Sequence, residues 1–198
     1  MLSKLVIATG NKGKFEELKS MLNEAGEFAH EIIFAPQLAG GIKIEETGSS
    51  YAENAEIKAR AWAEASGLPC LADDSGLEVA ALNGEPGLYS ARVQDLKNDE
   101  ARNLWLLDKL KDIKGRDARR ARFVASLVLI NNNFKAIGNG ICNGYIADSM
   151  SGVNGFGYDP LFIPDGFNIS FADLGAEIKN KISHRALAVK DLFKILNY

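Results

Sequence analysis

Cysteine, histidine and proline are scarce in this chain, at two, two and five among 198 residues. Cys70 and Cys142 stand far apart in apolar surroundings, with no CxxC pair and no Cys/His cluster. A disulfide scaffold and a zinc site are thereby excluded, and reduced thiols in a cytoplasmic protein are expected. A dominant charge is lacking as well. Lys plus Arg number 23 against 26 Asp plus Glu, a net charge of −3, too balanced for a protein that coats nucleic acid or clings to an anionic membrane. No apolar run approaches the ~18 residues of a membrane span, and the start, Met1 to Ala8, is too short for a signal peptide's apolar core.

What the sequence does have is apolar material: 46% hydrophobic residues against 25% charged. A chain of this length buries about 70% of its unfolded surface, so a single domain over residues 1–198 is expected. Leu5 to Ala8 is a short strand pattern that leads through Thr9-Gly10-Asn11 into a helix with Phe15, Leu18 and Leu22 on one face. Glu31 to Phe34 predicts a second strand, stopped near Pro36, and a loop from Gly40-Gly41 to Glu45-Glu46-Thr47-Gly48 follows. Ser49 or Ser50 is positioned to cap an Ala-rich helix over Tyr51 to Ala65. Cys70-Leu71-Ala72 predicts a brief strand ended by Asp73-Asp74 at a chain reversal, with a further strand over Leu77 to Leu82. Glu100 to Leu110 predicts a helix, Arg122 to Ile130 a strand, and Asn131-Asn132-Asn133 a hairpin turn into Phe134 to Ala147. Ser183 opens the last helix. Parallel pairing from strand-helix-strand units, together with an antiparallel hairpin, predicts a mixed sheet.

Several segments carry chemistry beyond their structural role. Thr9-Gly10-Asn11-Lys12-Gly13-Lys14 joins a strand to a helix start, where free N–H groups and the helix dipole attract phosphate. It is not a Walker A loop, because Gly10 and Gly13 are too close and no Ser or Thr follows Lys14. Glu45-Glu46 and Asp73-Asp74, if brought together, supply the hard oxygen ligands that Mg²⁺ takes alongside water and phosphate. Taken singly, each pair also reads as solvated surface. Asn54 and Lys58 lie four residues apart, on one helical face. Arg116, Arg119, Arg120 and Arg122 are interspersed with Asp112 and Asp117 and lack stacking aromatics, so no nucleic-acid surface is expected there. Phe156 and Tyr158, flanked by glycines, read either as a base-stacking platform or as core plugs. His184 and Arg185 oppose the dipole at a helix N-terminus, which fits either an anionic or carbonyl-rich ligand or a bridge to the protein's own carboxylates.

In this order these segments resemble the inosine triphosphate pyrophosphatase family nearly end to end. The residues that carry the resemblance are Thr9 to Lys14, Glu45 to Gly48, Asn54 to Ala59, Ala72 to Leu77, Pro86 to Arg92, Gly155 to Pro160, and Lys179 with Ser183-His184-Arg185. The resemblance implies an elongated two-lobed α/β fold: a long mixed β-sheet flanked by helices around a central cleft. It also implies a homodimer and cleavage of non-standard purine nucleoside triphosphates to monophosphate and pyrophosphate. Carried over residue by residue, it assigns Asp74 as catalytic and Glu45 with Asp74 to Mg²⁺, with Glu46 and Asp73 as alternatives. Substrate contacts fall to Thr9, Gly10, Asn11, Lys12, Gly13, Lys14, Lys58 and Ser75 for phosphate and sugar, and to Phe156, Gly157, Tyr158, Asp159, Lys179, His184 and Arg185 for the base. A nucleotide-sensing module without hydrolysis, or a hydrolase of modified pyrimidine triphosphates, are the competing readings.

Overall fold

A computed structural model describes residues 2–26, 28–38, 42–132 and 134–197. Gly40, Gly41 and Asn133, named above in loops, lie outside the described residues. The elements run β1 (Leu2–Ile7), α1 (Lys12–Glu24), β2 (Ala29–Phe34), α2 (Tyr51–Ser66), β3 (Cys70–Val79), α3 (Asp99–Lys109), β4 (Arg120–Asn131), β5 (Phe134–Ile146), β6 (Phe162–Pro164), α4 (Phe171–Ile182) and α5 (His184–Ile195). The six strands form one sheet in the order β2-β1-β3-β4-β5-β6. β1 is parallel to β2 and β3, whereas β5 and β6 are antiparallel, so the sheet is mixed, as the connections require.

By contact density the chain divides into two compact units. One comprises Met1–Asp74, Ala125–Gly140 and Arg185–Tyr198; the other comprises Ser75–Val124 and Ile141–His184.

In the first unit, strand alternation sorts the side chains into two layers. Leu5, Ile7 and Leu71 pack with Phe15, Leu18, Met21 and Leu22 of α1 and with Ala188, Val189 and Leu192 of α5. Val6, Ala8, Cys70 and Ala72 face the other way, onto Ala55, Ala59 and Trp62 of α2. Ala55 and Ala59 are fully buried, and their small side chains let α2 lie close to the strands. Leu18 and Leu22 are also fully buried, each stabilising the layer by about 1.5–3 kcal/mol. Asn11 caps α1 by accepting the Lys14 N–H at 3.0 Å. Ser50 caps α2 by accepting the Glu53 N–H at 3.2 Å, and Gly67 ends that helix in the left-handed conformation.

The second unit has its own core, in which Leu77, Leu106, Leu110, Phe123, Phe162 and Phe171 are prominent. Arg119 is buried there and donates to the carbonyls of Leu110, Ile113, Ile146 and Ala147 at 2.7–3.1 Å. Arg120 is paired with Asp165, and Arg122 with Glu78. These arginines of the sequence cluster are thus engaged by the protein itself.

Two expectations need correction. β3 does not stop at Asp73-Asp74; it runs on through Ser75-Gly76 to Val79. The two carboxylates need no reversal because cations from flanking helices compensate each of them within the extended strand. α4 was not expected: Gly175, with φ +79°, interrupts its helical pattern, although Ser170 caps it by accepting the Asp173 N–H at 3.2 Å.

Candidate active site

The first unit gathers five of the sequence's charged candidates on β3 and its flanking helices. Asp73 and Asp74 follow Ala72 in strict alternation, so Asp73 continues the α1/α5 layer and Asp74 the α2 layer. Asp73, 1% exposed, has its Oδ2 at 2.8 Å from Lys14 Nζ and accepts from Arg185 Nε at 3.3 Å. Arg185 Nη1 in turn donates to Glu17 Oε2 at 3.0 Å. Burial alone would push the Asp73 carboxyl up. The charges of Arg185 and Lys14 outweigh it and hold the carboxyl far below the usual carboxylate range. Lys14 is shifted down, chiefly by burial and further by the nearby cations Arg185 and Lys58, against the pull of Asp73.

On the other face, Asp74 Oδ1 accepts from Lys58 Nζ at 3.0 Å and Asp74 Oδ2 from Asn54 Nδ2 at 3.3 Å. Lys58 donates a second hydrogen bond, at 2.7 Å, to Glu46 Oε1. Asn54 is fully buried, and its Oδ1 accepts the Gly48 N–H at 2.8 Å, tying the Glu45–Gly48 loop to α2. A side chain on Gly48 would bring a Cβ within 2.8 Å of that same oxygen. Asp74 is shifted up, by burial first, with Lys58 and Lys14 opposing. For Lys58, burial works downward, but the carboxylates of Asp74 and Glu46 prevail and raise it.

The structure therefore brings Lys14, Lys58, Glu46, Asp73, Asp74 and Arg185 into two linked ion clusters. Glu45 is exposed and lies outside them, whereas its neighbour Glu46 shares Lys58 with Asp74. Thr9, Gly10 and Asn11 form the turn ahead of α1, where Thr9 Oγ1 accepts the Asn11 N–H at 3.1 Å; Lys12 and Gly13 begin the helix, and Lys12 is exposed. Glu17 escaped the sequence reading; its only signal was its place one turn after Lys14 on α1.

The second unit holds the aromatic loop. Asp159, 2% exposed, accepts the Phe156 N–H at 2.9 Å and pairs with Lys179, itself 3% exposed. The Lys179 ammonium sits 4.6 Å from the centroid of the half-buried Phe156 ring. Gly155 has φ +78°, and a Cβ there would fall 2.1 Å from Asp159 Oδ2, so only glycine fits. Tyr158 is buried and donates through its hydroxyl to Ser90 O at 3.1 Å. His184, 2% exposed, stacks on Phe123 at 4.6 Å between centroids and 12° between planes. Ser75 lies half-buried on β3. Of the two readings of the His184-Arg185 pair, the bridge to the protein's own carboxylates describes the Arg185 side chain.

Half-buried Lys14 and Lys58, answered by carboxylates from a strand and a loop, sit in an α/β protein built on a mixed sheet. The chain belongs to the Ham1 family, whose model matches residues 5–195, which bears out the resemblance read from the sequence. It is 46% identical over 190 residues to a dITP/XTP pyrophosphatase of Deinococcus deserti, covering 95% of this chain and 86% of that one. With the dITP/XTP pyrophosphatase of Christiangramia forsetii it shares 44% over 196 residues, covering 98% and 99%. The solved Ham1 protein of Staphylococcus aureus superposes with a TM-score of 0.83 at 40% identity over 98% of both chains.

Proposed function

We propose that this protein hydrolyses non-standard purine nucleoside triphosphates, such as ITP, dITP and XTP, to the monophosphate and pyrophosphate, clearing them from the nucleotide pool. The observation that carries the reading is the convergence of Asp74 and Glu46 on Lys58, with Asn54 behind them, in a chain of the Ham1 family.

The reaction joins a water oxygen to the α-phosphorus as the bond from that phosphorus to its bridging oxygen breaks, and pyrophosphate leaves. Positioning and charge neutralisation do most of this work, since the substrate brings about four negative charges. Lys14, Lys58 and the N–H groups of the Thr9–Lys14 turn are suited to the phosphates. Asp74, oriented by Lys58 and Asn54, accepts the proton of the attacking water.

Among the described residues no three metal-binding side chains form a complete cage. Mg²⁺ does not need one, because it takes one or two carboxylates and fills its octahedron with water and phosphate oxygens. Asp74 and Glu46 would hold it, Glu46 taking the place that the sequence reading gave to Glu45, with Asp73 the remaining alternative. When bound it supplies positive charge to the phosphate oxygens.

For the base, a 6-keto purine offers acceptors at O6 and N7, whereas adenine presents a donor at N6. Donors at Lys179 and His184 favour the former, with Phe156 as the stacking face and Asp159 as the anchor of its loop. The family resemblance adds a homodimer and a cytoplasmic setting to this proposal, and the latter suits the free thiols Cys70 and Cys142. No helix among the described residues is long and apolar enough to cross a membrane.

The test is incubation with Mg²⁺ and, separately, ITP, XTP, GTP, ATP and dUTP, assaying pyrophosphate against orthophosphate. Preferential release of pyrophosphate from ITP and XTP is expected. Binding without turnover would favour the sensing module, and preference for dUTP the pyrimidine hydrolase.

A further inference from the structure

Asn103 sits in the middle of α3, on the helix face that also buries Leu106, and is 2% exposed. Asparagine is a poor helix former, and burying its amide on an apolar face costs stability unless hydrogen bonds offset it. Its Nδ2 donates to the Asp99 carbonyl one turn back, at 2.9 Å, and to the Gly157 carbonyl at 2.8 Å. Its Oδ1 has no partner among the described residues, so the donor side accounts for its presence. Asp99, four residues earlier on the same face, accepts the Gly157 N–H on Oδ2 at 2.6 Å. The other Asp99 oxygen is engaged by Arg102, whose Nη1 donates to the Leu96 carbonyl at 2.9 Å and so orients the carboxylate.

One helix face thus grips both backbone polar groups of Gly157. This glycine has φ +63°, a conformation that L side chains rarely adopt, and it lies between Phe156 and Tyr158. Other ties fix the same loop, among them Phe156 N–H to Asp159, Asp159 N–H to the Phe156 carbonyl at 3.3 Å, Lys179 to Asp159, and Tyr158 hydroxyl to Ser90. None of these engages the Gly157 N–H or the Gly157 carbonyl, and rotation there re-aims the Phe156 ring. We propose that Asp99 and Asn103 are positioning residues that fix the Gly155–Pro160 loop for the purine ring, setting base affinity and selectivity without entering the phosphoryl step. The proposal rests on the reading that Phe156, Asp159 and Lys179 receive the base.

The test compares wild type with Asn103→Leu, Asp99→Ala and Asp99→Asn in the full chain with Mg²⁺. KM and kcat on ITP are measured, with inhibition by inorganic pyrophosphate and calorimetric binding of IMP. Removing the Gly157 tie is expected to raise KM for ITP and weaken IMP binding by about tenfold, the worth of one well-made hydrogen bond. Pyrophosphate inhibition and kcat should stay within about threefold. Asp99→Asn keeps an acceptor for the Gly157 N–H and should remain close to wild type. If Asn103→Leu does not fold, Asp99→Ala, whose side chain is 43% exposed in the native protein, carries the comparison. Folded Asn103→Leu or Asp99→Ala with unchanged ITP KM and IMP affinity overturns the proposal, as does an equal loss of pyrophosphate inhibition, which would mean general loosening. Wild type that fails to bind IMP would instead overturn the base-site reading beneath it.

Discussion

Asp73 and Asp74 are consecutive on β3 yet answer to opposite helical layers, Asp73 to Lys14 and Arg185, Asp74 to Lys58 and Asn54. Their environments also separate their acidities, one held far down and the other pushed up. Two neighbouring carboxyls with opposed shifts are suited to different tasks: a permanent counter-ion, and a group that takes up a proton.

Asp74→Asn is expected to lower ITP turnover by at least ~10²-fold, the loss of a general base, while the protein stays folded. The amide keeps the side chain's shape and can still meet Lys58 through its oxygen. Steady-state kinetics and a thermal melt read both halves, and turnover near wild type removes Asp74 from the mechanism.

Asp73→Asn should act on stability. It leaves Lys14 and Arg185 short of a buried counter-charge, at a cost of about 3–5 kcal/mol near neutral pH. The pH dependence follows from the direction of the shift. The unfolded chain takes up this proton near pH ~3.9, and the folded carboxyl only well below that. The stability due to Asp73 is therefore fully present above pH ~3.9 and is lost as the pH falls through the lower, folded pKa. Urea melts in chelator should show wild type losing stability more steeply than the variant on acidification through this range. Parallel acid profiles would contradict an ionised, paired Asp73.

Glu46 and Glu45 differ by one residue but not by accident of numbering, since only Glu46 joins the Lys58 cluster. Glu46→Gln is expected to weaken the Mg²⁺ dependence of turnover by about 10–100-fold, and Glu45→Gln by far less. Titrating Mg²⁺ back into chelated enzyme measures both. A larger effect at Glu45 would restore the assignment made from sequence.

Gly155→Ala forces a Cβ to within 2.1 Å of Asp159 Oδ2 at a residue with φ +78°. Displacing that carboxylate disturbs the Phe156 N–H and Lys179 together. The expected result is a rise in KM for ITP of about 10–100-fold, as small misplacements in a binding site produce. An unaltered KM would detach this loop from base binding.

Much of this was legible in the sequence because local rules govern it. The caps at Asn11 and Ser50, the helix-ending Gly67, the Phe15/Leu18/Leu22 face and the β4–β5 strand pair follow from spacing and turn chemistry. Asn54 and Lys58, read as neighbours on one helical face, do meet at Asp74. What stayed hidden depends on contacts distant in sequence. Asp73-Asp74 looks like the end of a strand until Lys14, Lys58 and Arg185 arrive from three helices to balance it. Glu17 looks like any solvated helical acid, although Arg185 reaches it across 168 residues. Asn103 offers no pattern at all until Gly157 is placed beside it.

Lys58 bridges Glu46 and Asp74 on its own, so the chain holds a tethered positive charge between two acids that would otherwise repel each other. The fold thus assembles its acidic corner from its own side chains, with the tethered ammonium as caretaker of the pair.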